Sequence, residues 1–214
     1  MEQLTAEWFE ARLGKLTGSR ADTAFKTYKS GTNKGKPTEE AQKIMLEIAF
    51  ERLTGNGINH FESQAMAWST EHEADARAEY EDTTGNLVTQ VGFIDHPEIN
   101  NFGASPDGLV GDDGLLEIKC PSELTHLKRV LTGEVPPEYK TQMIVQLICT
   151  GREWYDYVDY DPRLAVRPLM IVRFEPTEEE RKDVEEKAKI FLANVDKLVN
   201  DLKSGPVTEE EKDV

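Results

Sequence analysis

The sequence predicts an α/β (α+β) fold, a central mixed β-sheet flanked by helices. Three observations lead there. Helical and strand patterns come in blocks: helices to residue 83, three strands to residue 120, helices to 150, two strands to 174 and a last helix. Turn chemistry at Pro106-Asp107-Gly108 and again from Gly111 to Gly114 folds Leu109-Val110 back onto Leu115-Leu116-Glu117-Ile118-Lys119-Cys120 as a hairpin. The helices before and after these strands would cover opposite faces of the sheet.

Residues 5–14 read as a short helix with Trp8, Phe9 and Leu13 on its apolar side, followed by a turn and cap at Thr17-Gly18-Ser19-Arg20 and a second helix over 21–28. Residues 29–37 form a flexible basic loop. An apolar stripe of Ala41, Ile44, Met45, Ile48 and Ala49 predicts a core helix over 38–53, stopped by Gly55. A second long helix covers 63–83. Residues 87–94 read as one strand, and 101–105 leads into the hairpin. Helices over 122–131 and 138–150 end at Gly133 and Gly151, the second opening on proline. The aromatic run 154–160 and the apolar run 168–174 are strands, and packing explains those aromatics better than base stacking. Thr177-x-x-Glu180 is a capping box for a helix over 177–203 with Val184, Ala188, Phe191, Leu192, Val195, Leu198, Val199 and Leu202 on one stripe. This is one domain over 1–205, with an acidic tail, 206–214, expected to be disordered.

No apolar run approaches the roughly 18 residues of a membrane span. The N-terminus lacks the basic and apolar regions of a secretory signal, and Cys120 and Cys149 are too few for a disulfide framework. A cytoplasmic protein with reduced core thiols is expected. The net charge of −16 argues against a simple nucleic-acid binder, but its distribution softens that objection. Arg12, Lys15, Arg20, Lys26, Lys29, Lys34 and Lys36 are opposed only by Asp22 across residues 12–36, while acids dominate beyond Phe174. A basic arm on an acidic body can grip phosphate.

Strand alternation puts Glu117 and Lys119 on one face, and Asp107, leaving the strand before, can reach the same point. Two hard carboxylates and a backbone carbonyl suit Mg²⁺, which polarises a phosphodiester and acidifies water. A lysine there can orient or deprotonate the attacking water, or offset transition-state charge. A surface hairpin with a loop ion pair is the bland alternative. The four histidines, His60, His72, His96 and His126, show no metal-binding spacing and read as surface or structural residues.

Ser105-Pro106-Asp107-Gly108-Leu109 followed by Leu116-Glu117-Ile118-Lys119-Cys120-Pro121 resembles the PD-(D/E)xK signature as carried by the phage lambda exonuclease and YqaJ-type viral recombinase family. Trp8-x-x-x-Arg12-Leu13-Gly14-x-x-Thr17-x-Ser19 and Tyr139-x-x-Gln142 are similar to further motifs of that family, in the right order. The resemblance implies a restriction-endonuclease-like core within 63–174, with a basic arm and loop over 12–37. It implies catalytic Asp107, Glu117, Lys119 and Glu73, with metal held by Asp107, Glu117, the Ile118 carbonyl and Glu73, directly or through water. Arg12, Ser19, Ser105 and Gln142 would bind a 5′-phosphate, Tyr139 would border it, and Met66 would wedge into the duplex end. The implied activity is 5′→3′ exonuclease digestion of linear double-stranded DNA to 5′-mononucleotides and a 3′ overhang. Two Mg²⁺ would serve each site, with Mn²⁺ able to substitute. The family further implies a homotrimeric ring, a single-strand annealing protein as partner, and phage or prophage origin in a bacterial host.

Two readings compete. A PD-(D/E)xK endonuclease would cut closed circles. A non-catalytic DNA- or Ca²⁺-binding module would use Asp107, Asp112 and Asp113, but their spacing departs from a calcium-loop pattern.

Overall fold

The structure is a computed structural model that describes residues 2–58 and 64–205, excluding the side chains of 64–66. The tail at 206–214, His60 and the Met66 side chain therefore lie outside the described residues. The elements in chain order are α1 (Ala6–Arg12), β1 (Leu16–Thr17), α2 (Gly18–Ala24), α3 (Glu39–Thr54), α4 (Gln64–Thr84), β2 (Val88–Thr89), β3 (Ile94–Asp95), β4 (Phe102–Ala104), β5 (Gly108–Val110), β6 (Gly114–Lys119), α5 (Glu123–Thr132), α6 (Pro137–Thr150), β7 (Trp154–Tyr160), β8 (Leu169–Phe174) and α7 (Glu178–Ser204).

A five-stranded sheet runs β2-β5-β6-β7-β8. Its pairs are antiparallel except β6 with β7, which are parallel and joined by the crossover through α5 and α6. α4 covers one face, setting Ala76 and Tyr80 against Val110, Leu116 and Ile118. α6 covers the other, setting Met143 and Leu147 against Leu115, Tyr155 and Tyr157. The mixed sheet between helices is as the sequence predicts.

Caps and turns hold where the residues demanded them. Thr177 and Glu180 close a reciprocal capping box, and Gly55, Gly133 and Gly151 end α3, α5 and α6 in the left-handed region that glycine adopts without strain. In the hairpin, Gly114 lacks a Cβ where one would stand 2.1 Å from the Trp154 ring, so the ring closes over the strand.

Four expectations change. The single strand over 87–94 is two short pieces in different sheets: β2 pairs β5, whereas β3 joins β4 and β1 in a separate three-stranded sheet. The break falls around Gly92, a weak strand former. The second helix starts earlier, at Gly18, because Thr17 is already extended and paired to Gly103. Phe9 and Leu202 are exposed, since α1 and α7 bury narrower stripes than their composition suggested. The basic loop closes on itself, with Gly35 N donating to Tyr28 O and Tyr28 N to Lys36 O, both at 2.9 Å. Cys120 and Cys149 are buried free thiols. Among the described residues, no helix is long and apolar enough to cross a membrane.

Candidate active site

The site opens where β5 stops short of β6. Gly108 is paired with Leu116, and Asp107 then continues the ladder by other means. Its backbone N–H donates to Leu116 O at 3.2 Å, and its carboxylate Oδ2 accepts from Ile118 N at 2.7 Å. A strand residue points its N–H and C=O to the same edge, so the Ile118 carbonyl opens beside Asp107.

Glu117 is fully buried on the α6 side of β6. Oε1 accepts from Lys119 Nζ and Gln142 Nε2, and Oε2 accepts from Gln146 Nε2 at 2.9 Å. Burial, then the Glu117 charge, raise the Asp107 pKa well above the usual carboxylate range, with Lys119 opposing them. For Lys119, burial works against the ammonium, but the charges of Glu117 and Asp107 outweigh it and its pKa rises. Lys119 is thus held as a cation.

Two nearby carboxylates, one of which resists ionising, need positive charge beyond one lysine. Among the described residues, no three His, Cys, Asp or Glu side chains stand together as a closed metal cage. Asp107, Glu117 and the Ile118 carbonyl make an open, all-oxygen set, which fits a hard divalent cation that keeps water and phosphate ligands. Glu73 accepts from Arg77 Nη2 at 3.0 Å and acts on Asp107 through its charge.

Arg12, Ser105 and Gln142 are linked to this centre through a run of hydrogen bonds that includes Gln146 and Glu117. Arg12 Nη1 donates to the Ser105 hydroxyl at 3.2 Å, with its guanidinium 4.1 Å from the Trp8 ring centroid. The Ser105 carbonyl accepts from Gln146 Nε2 at 3.2 Å, and Gln146 and Gln142 share Glu117. Ser19 is exposed at the start of α2, its hydroxyl 3.3 Å from that of Thr17. Gly18 lies against the Gln142 carbonyl and Ala104, a Cβ there standing 3.5 Å from each. The Tyr139 hydroxyl accepts from Arg129 Nη2 at 3.2 Å.

Other contacts were not assigned from the sequence. Trp8 Nε1 donates to the Ser105 hydroxyl at 2.9 Å. Buried Glu51 binds Gly14 N at 2.9 Å and Arg20 Nη2 at 3.0 Å, which brings a second guanidinium near the first. Burial and then the Arg20 charge lower the Arg12 pKa to about 10. Gln146 is a central ligand of Glu117, and its own Oε1 has no hydrogen-bond partner among the described residues. Its spacing of four from Gln142 puts both amides on one helix face already in the sequence, as an extension of the polar edge of Gln142.

An Asp, Glu and Lys converging at the mouth of a hairpin, on a mixed sheet between helices, define a class: the PD-(D/E)xK nucleases. Comparison with known proteins narrows the class to a family. The model of the YqaJ-like viral recombinase domain matches residues 7–153. The chain is similar to the alkaline exonuclease LHK-Exo from Laribacter hongkongensis, at 43% identity over 94% of this chain and 97% of that one, with a TM-score of 0.84. LHK-Exo in complex with dAMP matches with a TM-score of 0.85. A phage related exonuclease from Haemophilus somnus, 17% identical over 88% of this chain and 96% of that one, shares the fold with a TM-score of 0.64. No curated protein matches. The chain belongs to the YqaJ-like viral recombinase family and is a deoxyribonuclease.

Proposed function

We propose that the protein is a Mg²⁺-dependent exonuclease that enters linear double-stranded DNA at a 5′-phosphorylated end. It digests one strand 5′→3′, releases 5′-mononucleotides and leaves a 3′ overhang for phage-type recombination by strand annealing. The observation that carries this reading is Arg12, a guanidinium in a shielded pocket that donates to a serine hydroxyl rather than a carboxylate, with Arg20 nearby. Two cations sharing one carboxylate, Glu51, leave positive charge for a dianion to neutralise. A terminal phosphate is such a dianion, whereas an internal phosphodiester carries a single charge.

Ser105 and Gln146 connect Arg12 to Glu117, so an end held at Arg12 would present the adjoining phosphodiester to Asp107 and Glu117. Mg²⁺, or Mn²⁺ in its place, held by Asp107, Glu117 and the Ile118 carbonyl, would supply Lewis acidity and an acidified water, with two ions per site as the fuller form. Lys119 keeps its proton as charge grows on the scissile phosphate, offsetting that charge and orienting the attacking water. Gln142 and Gln146 hold Glu117 in one rotamer. Glu73 would act through water, and Met66 would wedge the duplex end. A deoxynucleoside monophosphate bound to LHK-Exo is of the product class this reaction yields. The family resemblance extends the proposal to a homotrimeric ring working with a single-strand annealing protein inside a bacterial host, encoded by phage or prophage.

The test is end chemistry. Duplex with a 5′-phosphate should be digested faster than duplex with a 5′-hydroxyl, and Arg12→Ala should slow the phosphorylated substrate by roughly ten- to a hundredfold, the worth of one charge-assisted contact. Equal rates on both ends in the unmutated protein would contradict the pocket assignment.

A further inference from the structure

Behind Lys119 lies a buried polar cluster that the nuclease reading leaves unused. In the parallel pairing of β6 with β7, Glu117 stands beside Tyr157 and Lys119 beside Asp159, on the face covered by α5 and α6. Asp159 has no exposed surface. Its Oδ1 faces His126 Nδ1 at 2.6 Å, and its Oδ2 accepts from Arg129 Nη1 at 2.7 Å and from the Tyr157 hydroxyl at 2.9 Å. His126 and Arg129, three apart on α5, meet the carboxylate from one helix face. His126 Nε2 reaches the Arg167 carbonyl at 2.9 Å, tying the loop after β7 into the same cluster. A fully buried carboxylate with three partners is costly to build and rigid once built.

The cluster ends at the catalytic lysine. Arg129 reaches Tyr139 with its other nitrogen, and the Tyr139 ring stacks on Tyr157 with centroids 5.7 Å apart and an interplanar angle of 23°. The Tyr139 ring also faces Lys119 Nζ, which lies 5.1 Å from its centroid and in contact with Glu117. A ring within about 6 Å of an ammonium attracts it through its π face, and does so more strongly away from water. From this geometry we infer that Tyr139 is a positioning residue for Lys119: anchored by Arg129 and Tyr157 on Asp159, its ring face holds the ammonium at the Glu117 carboxylate. This rests on the proposed role of Lys119 and assigns Tyr139 to the lysine instead of to the 5′-phosphate.

The experiment compares steady-state kinetics of Tyr139→Leu, Tyr139→Phe, Lys119→Ala and the Lys119→Ala/Tyr139→Leu double variant on 5′-phosphorylated duplex with Mg²⁺, with thermal melts confirming that each is folded. Tyr139→Leu removes the π face and should lower kcat about tenfold with KM unchanged. Tyr139→Phe keeps the ring, loses the bond to Arg129, and should lose about two- to threefold. On the Lys119→Ala background, Tyr139→Leu should add almost nothing, because the group it positions is gone. Equal losses in Tyr139→Phe and Tyr139→Leu, a raised KM with kcat intact, or a full additive loss in the double variant would overturn the inference while leaving the nuclease reading standing. Near-normal turnover in Lys119→Ala would overturn the reading of the site and this inference with it.

Discussion

Glu117 is bound by Lys119, Gln142 and Gln146, while Asp107 takes the Ile118 N–H across the hairpin mouth. Replacing Asp107 with Asn should therefore abolish cleavage without unfolding the protein. Burial and the Glu117 charge already disfavour its ionised form, so the metal-free thermal midpoint should stay the same or rise. A fall of many degrees would mean that the Asp107 charge is structural. Lys119→Ala should reduce the rate by about 10²- to 10⁴-fold, the span of a positioned proton-transfer or electrostatic group. At this scale the sequence was partly legible. Alternation in β6 was enough to put Glu117 and Lys119 together, and the spacing of Gln142 and Gln146 put both amides on one helix face. The acids of β7 were not legible. Asp156 and Asp159 fall on opposite faces of β7, yet both are buried, answered by Arg173 and Tyr80 in one case and by His126, Arg129 and Tyr157 in the other. All of those partners except Tyr157 come from other elements, and no local pattern announces them.

Among the elements, β4 links the Arg12 side of the site to the hairpin. It runs between β1 and β3 and delivers Ala104 to the Gly18 end of α2 and Ser105 to Arg12. Gly103 sets its position, since a Cβ there would meet Ile94 O at 2.6 Å and Phe93 Cζ at 2.4 Å. The carbonyl belongs to a paired strand and has little room to yield. Gly103→Ala should cost about 1–3 kcal/mol in urea denaturation, as overpacking usually does. A change below about 0.5 kcal/mol, within the range of ordinary surface substitutions, would show that β3 shifts freely. Elements specified by local chemistry were readable: the hairpin by its glycines and Pro106, α7 by its capping box, and α6 by Pro137 and Gly151. The three-stranded sheet was not, because β1 is two residues long and finds Phe102 and Gly103 far along the chain. Such short strands carry no periodicity of their own. They exist because tertiary packing supplies the partner.

On the scale of the whole molecule, the charge of −16 is unevenly spread. α7 opens on Glu178, Glu179 and Glu180, whereas Arg12, Arg20 and Lys119 gather at the site. An acidic body with its cations concentrated around Arg12 and Arg20 favours approach of DNA there over adhesion elsewhere. If the resemblance extends to assembly, light scattering should give three times the 24.2 kDa chain mass, whereas a monomer at working concentration would remove the ring. The most direct measurement is digestion of equal amounts of linear and covalently closed circular duplex with Mg²⁺, followed by release of acid-soluble nucleotide. An enzyme that must seat a 5′ end in the Arg12 pocket before Asp107 and Glu117 can act should degrade the linear DNA and leave the closed circle intact. Nicking or linearisation of the circle at a comparable rate would contradict end-dependent digestion and make the protein an endonuclease of the same class.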